Sequence, residues 1–161
     1  MDWIFRALVG AAVIHVLEEY ACPGGFLDWM RSMNPRFAPW ITARFAVIIN
    51  GLFLVLCVVG AIMARPSPVL GLSVAGLLFV NGCMHLGGTV RARRYVPGVA
   101  SGVLLYIPLA LYAFSLSISS GLVSPREAML AGGLGLVYNA VPIGYLGFSS
   151  LAKRSQMKGH I

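Results

Sequence analysis

Charge is what this chain has least of. Only 11% of its 161 residues are charged, with five acidic residues and three histidines in all. A soluble domain carries about a quarter charged residues, so a water-facing globule is excluded and an integral membrane protein is indicated. Cysteine is scarce too. Cys22, Cys57 and Cys83 are far apart, odd in number and without a CxxC pair, which excludes a disulfide framework. Cys57 and Cys83 fall inside apolar runs and read as small buried hydrophobes. No glycine-rich loop stands in the strand-and-helix context that binding a nucleotide needs. The net charge of +7 comes from basic residues scattered over connections. No basic patch interleaved with aromatics is present, so nucleic acid is not an expected partner.

What the chain has instead is hydrophobic length: 58% of it is hydrophobic, with a mean hydropathy of +0.84. Crossing a hydrocarbon core takes about 20 apolar residues. Stretches near 3–20, 38–64, 67–90, 96–120 and 126–152 qualify. The first carries Asp2 and Arg6 and lacks a convincing cleavage site, so it reads as a retained helix rather than a signal peptide. Pro66 and Pro68 frame a turn, Pro97 and Pro125 open the fourth and fifth spans, and Pro108 and Pro142 predict kinks inside them. Gly132, Gly133, Gly135, Gly144 and Gly147 would let the fifth span approach a neighbour closely. Between the first two spans, the stretch 22–37 mixes Phe26, Leu27, Trp29, Met30 and Met33 with Asp28, Arg31 and Arg36. It predicts a short amphipathic interfacial helix, with Pro23, Gly24 and Gly25 able to make it a lid or a plain connector. The expected fold is all-α: a polytopic membrane helix bundle of about five transmembrane helices, forming one domain over 1–161.

The basic residues orient it. Arg31, Arg36, Arg44, Arg91, Arg93, Arg94, Lys153, Arg154 and Lys158 fall on one side, and only Arg6, Arg65 and Arg126 on the other. The positive-inside rule then places the amino terminus outside and the carboxyl terminus in the cytoplasm.

Against this apolar background, His15, Glu18 and Glu19 (H-V-L-E-E) stand at the end of the first span, and Asn81 and His85 (N-G-C-M-H) interrupt the third. Ionisable groups in a membrane are expensive unless paired, and they mark functional sites by default. On a helix of about 3.6 residues per turn, His15 lies within roughly 40° of Glu19 and about 60° of Glu18, so all three can face one crevice. Asn81 and His85 share a face. Both spans run inward, and His85 lies roughly 9 Å above the boundary marked by Arg91. The two sets of groups thus reach similar depth, as a shared cavity requires. Imidazole and carboxylate suit a divalent transition metal such as zinc, iron or manganese, with His15, Glu18, Glu19 and His85 as candidate ligands. Without a metal, two adjacent carboxylates beside a histidine can divide into an acid and a base. A purely structural cluster of satisfied polar groups is the bland alternative.

Other polar residues invite milder readings. Asn50 and Asn139 can face the cavity or bond between helices. Arg44 can neutralise a glutamate or snorkel to the headgroups. Tyr95 is a belt residue or a hydroxyl aimed at the site. His160 sits in a polar tail and reads as solvated.

H-V-L-E-E, N-G-C-M-H and Y-V-P-G (Tyr95, Pro97, Gly98) resemble, in the same order, the HxxEE, NxxxH and YxPG signatures of the HxxEE family of small bacterial membrane proteins. The resemblance covers the first span through the start of the fourth. It implies a bacterial inner (plasma) membrane location and an enzyme active site built from His15, Glu18, Glu19, Asn81, His85 and Tyr95, with no reaction specified.

Three functions remain open on the sequence. One is a membrane-embedded enzyme acting on a lipophilic small-molecule substrate from the cytoplasmic leaflet. A second is a small transporter or proton-coupled carrier, which an odd number of spans disfavours unless the chain forms a homo-oligomer. The third is a structural subunit whose polar cluster locks helices together.

Overall fold

The computed structural model describes residues 2–21 and 25–158, with side chains described up to residue 149. Cys22, Pro23, Gly24 and His160 lie outside the described residues, as do the side chains of Lys153, Arg154 and Lys158. Regular structure among the described residues is helical throughout. In chain order the helices are α1 (Asp2–Ala21), α2 (Gly25–Met33), α3 (Ala43–Met63), α4 (Pro68–Ala92), α5 (Val99–Ser119) and α6 (Pro125–Lys158). A 3-10 turn, Ala38–Trp40, precedes α3.

Local chemistry sets these boundaries. The second span was expected to start near Ala38, but Pro39 holds a 3-10 turn there. The helix begins only where Thr42 caps it, its hydroxyl accepting the Phe45 N–H at 3.1 Å. Ser124 and Glu127 form a reciprocal capping box at the start of α6, with Ser124 N–H donated to Glu127 at 2.7 Å and Glu127 N–H to Ser124 at 3.3 Å. Within α5, the turn Gly102–Tyr106 widens to a π-helix immediately before Pro108. Proline has no N–H to give back to the preceding turn, and a register shift of this kind accommodates it. Helix α6 continues through Pro142.

Among the described residues, four helical segments are long and apolar enough to cross a membrane: α3, α4, α5 and the Pro125–Ser149 part of α6. About five had been expected. The difference is α1, whose 20 residues include Asp2, Arg6, Glu18 and Glu19. Its inner face is nevertheless core: Ile4, Leu8 and Ala12 pack with Leu72, Ala75 and Leu78 of α4 and with Tyr106, Ala110 and Ala113 of α5. Helix α4 is central, touching α3, α5 and α6. Outward faces of α3 and α6 are apolar, with Leu52, Val55, Ile62, Met129, Leu136 and Val141 exposed. An apolar shell around a packed interior is what lipid contact demands.

Of the small residues in α6, Gly135 makes the close crossing. A Cβ there would stand 2.4 Å from the backbone carbon of Gly76 in α4. Opposite ends of the bundle carry different charges. Arg65, in the α3–α4 turn, pairs with Asp2 (Nε–Oδ1 3.0 Å). At the far end Arg94 donates to Ser32 of α2 at 3.1 Å, beside the end of α1 that carries the two glutamates.

Candidate functional site

The site forms where the last turn of α1 meets α4 and the first turn of α5. His15 and Glu19, one helical turn apart, face inward together, and His85 of α4 meets them. Glu19 Oε1 lies 3.5 Å from His15 Nε2 and 3.4 Å from His85 Nε2. The three side chains are 2–3% exposed, and one ligand atom from each lies within 4.8 Å of the others. The matched depth expected from the two spans is therefore present as contact.

Each cluster member is held from behind. Asn50 of α3 donates to Glu19 Oε2 at 3.0 Å. The Ser101 hydroxyl is hydrogen-bonded to His15 Nδ1 at 2.9 Å and lies 3.4 Å from the Gly98 carbonyl. That bond fixes the ring orientation of His15 and turns Nε2 toward Glu19. Tyr106 stacks on the His15 ring (centroids 4.5 Å, 28° between planes), and the two imidazoles meet edge to face at 4.7 Å. His85 is covered by α2, with Trp29 stacked on it at 5.7 Å and Phe26 tilted against it at 6.0 Å.

Glu18 goes elsewhere. One carboxylate oxygen accepts the Tyr95 hydroxyl and the backbone N–H groups of Gly98 and Ala100, both at 3.0 Å; the other accepts Ser101 N–H at 2.7 Å. It occupies the N-terminus of α5, where unpaired N–H groups and the helix dipole favour an anion. The two adjacent glutamates thus separate, Glu19 into the cluster and Glu18 onto the helix end.

Gly98 is where the motifs interlock. Its φ of +92° favours glycine. A Cβ there would stand 2.7 Å from Cε1 of both His15 and His85. Only a residue without a side chain lets the α5 start lie against two imidazoles while donating its N–H to Glu18. Tyr95 reaches Glu18 rather than the cluster. Asn81 lies one turn from His85, and its Oδ1 is buried without a hydrogen-bond partner. Asn139 is not at the site; it donates to the Leu77 and Gly135 carbonyls at 3.0 Å, the bland interhelical reading. Arg44 is exposed, and no ion pair among the described residues involves it.

Sequence reasoning missed Ser101 and Tyr106, and gave α2 as a lid or a connector without the ring contacts of Trp29 and Phe26 with His85. Ser101 and Tyr106 are ordinary members of an apolar span, and the π-turn that orients Tyr106 leaves no periodic signal. A serine in the first turn after Y-V-P-G was the one visible hint.

The residues fit a metal. Among the described residues, no hydrogen-bond partner reaches His15 Nε2, which lies 3.5 Å from Glu19 Oε1. A buried carboxylate also needs a compensating cation, and among the described residues only the two histidines face it. Tetrahedral zinc with bonds of about 2.0–2.1 Å places neighbouring ligand atoms roughly 3.3–3.4 Å apart, close to the two carboxylate–imidazole separations. Beside the cluster, a small cavity of about 70 Å³ is lined by Glu19, Tyr20, Gly25, Phe26, Leu27 and Ala46.

The family model described as "protein of unknown function with HXXEE motif" matches residues 6–113, two thirds of the chain, and the chain belongs to this family. Neither the comparison with curated proteins nor that with solved structures gives a match.

Proposed function

We propose that this member of the HXXEE family is a membrane-embedded enzyme, with His15, Glu19 and His85 holding a divalent transition metal (zinc, iron or manganese) that acts on a lipophilic substrate. The observation that carries this reading is the convergence of Glu19 Oε1 on two imidazole Nε2 atoms inside a buried cluster. All five long helices then span the bilayer, α1 included, because Glu19 is turned inward, Glu18 is held at the α5 terminus, and Asp2 and Arg6 stand in its first two turns, at the opposite end. By the positive-inside rule, the arginines around α2 and the end of α4 support a cytoplasmic position for that end and an amino terminus outside.

The bound metal would supply Lewis acidity and a more acidic water at the cluster. The chain's own residues do the rest. Ser101 orients the His15 ring through Nδ1, Asn50 fixes the Glu19 rotamer, and Glu18 with Tyr95 anchors the α5 turn that carries Ser101. They are positioning residues. The cavity beside Glu19 opens between α1, α2 and α3 and is lined mainly by apolar side chains, as entry of an apolar group requires. At about 70 Å³ it is far below the roughly 300 Å³ of a ligand pocket, so α2 must move for substrate to enter.

Cells carrying His85→Ala or Glu19→Ala in place of the native chain test this reading. Their extracted lipids should show one apolar species accumulating relative to cells with the native chain, and restoring the native chain should reverse it. Unchanged lipids with both folded variants would overturn it.

A further inference from the structure

Among the described residues, four buried polar atoms along one seam meet no hydrogen-bond partner: Trp29 Nε1 on α2, and Asn81 Oδ1, His85 Nδ1 and Thr89 Oγ1 on α4. The three α4 residues recur every four positions and share a face. They span about 12 Å of the helix axis. Trp29 lies over the middle of this track. Its ring stacks on His85, and its Cζ2 stands 2.9 Å from where a Cβ on Gly88 would be, so the missing side chain at Gly88 is what admits the indole. Arg94 ties α2 to the end of α4 through Ser32 at 3.1 Å.

A buried polar atom left unmet costs about 1–3 kcal/mol, so four on one seam indicate something that meets them. The atom types say what. Trp29 Nε1 only donates, Asn81 Oδ1 only accepts, and a hydroxyl and a neutral imidazole nitrogen serve in either role. A cation would face the indole N–H, and an anion the amide oxygen. An O–H group, which donates and accepts at once, suits all four. We infer that the α2–α4 seam binds hydroxyl groups, as a file of water or as the alcohol of a lipid headgroup, and leads them from the Arg91 end of α4 to His85. The apolar cavity is lined by Glu19 rather than His85, so it meets the cluster at a different residue. The seam goes beyond the proposed function and does not depend on a metal at the cluster.

Thiol reactivity tests it. Thr89→Cys, Asn81→Cys and, as a comparison, Val90→Cys are reconstituted in choline-headgroup vesicles and treated with iodoacetamide, a small uncharged hydrophilic reagent. Intact mass against the parent chain subtracts the native cysteines. Val90 is 69% exposed on the outer face of the same turn, where lipid surrounds it. Thr89→Cys should react at least tenfold faster than Val90→Cys, with Asn81→Cys between them. If added monoacylglycerol slows Thr89→Cys severalfold, the hydroxyl is a headgroup's; if the rate is unchanged, it is water's. Thr89→Cys and Asn81→Cys both as inert as Val90→Cys would overturn the inference, and Asn81→Cys alone decides should Thr89→Cys not fold. No outcome here depends on metal content or activity.

Discussion

Ser101 holds both ends of the H-V-L-E-E motif: its backbone N–H is donated to Glu18 at 2.7 Å, and its hydroxyl is hydrogen-bonded to His15 Nδ1 at 2.9 Å. One residue of α5 thus converts the capping of a helix by one glutamate into the orientation of a histidine beside the other. The adjacent carboxylates have separate duties, and that separation can be measured.

Glu18→Gln removes the anion at the α5 terminus and leaves donors short of an acceptor. Hydrogen bonds to charged groups are worth about 1.5–3 kcal/mol, so the metal-free variant should melt several degrees below the native chain. Glu19→Gln removes a buried charge whose neighbours are imidazoles, and its metal-free form should melt no lower than the native one. Equal losses in the two variants would contradict the division of roles.

Ser101→Ala should lower metal affinity about 10–100-fold, the usual cost of removing the partner that orients a ligating histidine. Its melting temperature should change little when metal is absent. Competition with a chelator gives the first quantity and thermal unfolding in detergent the second. Ser101→Thr, which keeps the hydroxyl, should recover most of the affinity.

Gly98→Ala combines a left-handed backbone with a Cβ 2.7 Å from two imidazole carbons. Strain of about 1–2 kcal/mol from the backbone adds to about 1–3 kcal/mol of overpacking. The variant should lose both stability and metal. A Gly98→Ala chain that binds metal normally would show that the close approach is not needed.

Gly135→Ala tests the fold apart from the site. Its Cβ would meet Gly76 and Leu77 backbone at 2.4–2.5 Å, whereas one on Gly132 or Gly133 meets nothing within 4 Å. Thermal unfolding should show a loss of about 1–3 kcal/mol for Gly135→Ala and little change for the other two.

The residues that converge were legible because they are rare and regularly spaced. His15 and Glu19 are one turn apart, and counting residues to Arg91 placed His85 at their depth. What pattern cannot convey is which way a helix is rotated. Adjacent residues point about 100° apart, so Glu18 and Glu19 were read into one crevice although packing sends one to α5 and the other to α3 and α4. Tyr106 was illegible because the π-turn before Pro108 breaks the period by which a face is read, and Ser101 was hinted at only by its place in the first turn after Y-V-P-G. The amphipathic α2 was legible from its mixed composition, but its stacking on His85 depends on Gly88, one unremarkable small residue. Asn50 and Asn139 looked alike in sequence; only the rotation of α3 and α6 separates the one that bonds Glu19 from the one that bonds carbonyls.

Elemental analysis of the chain purified without chelator, beside His85→Ala and Glu18→Gln, decides whether the His15–Glu19–His85 cluster holds a metal. About one zinc, iron or manganese is expected per native chain, none in folded His85→Ala, and retention in Glu18→Gln. A native chain that takes up none of the three when each is supplied, or a His85→Ala chain that keeps its metal, would contradict the metal assignment.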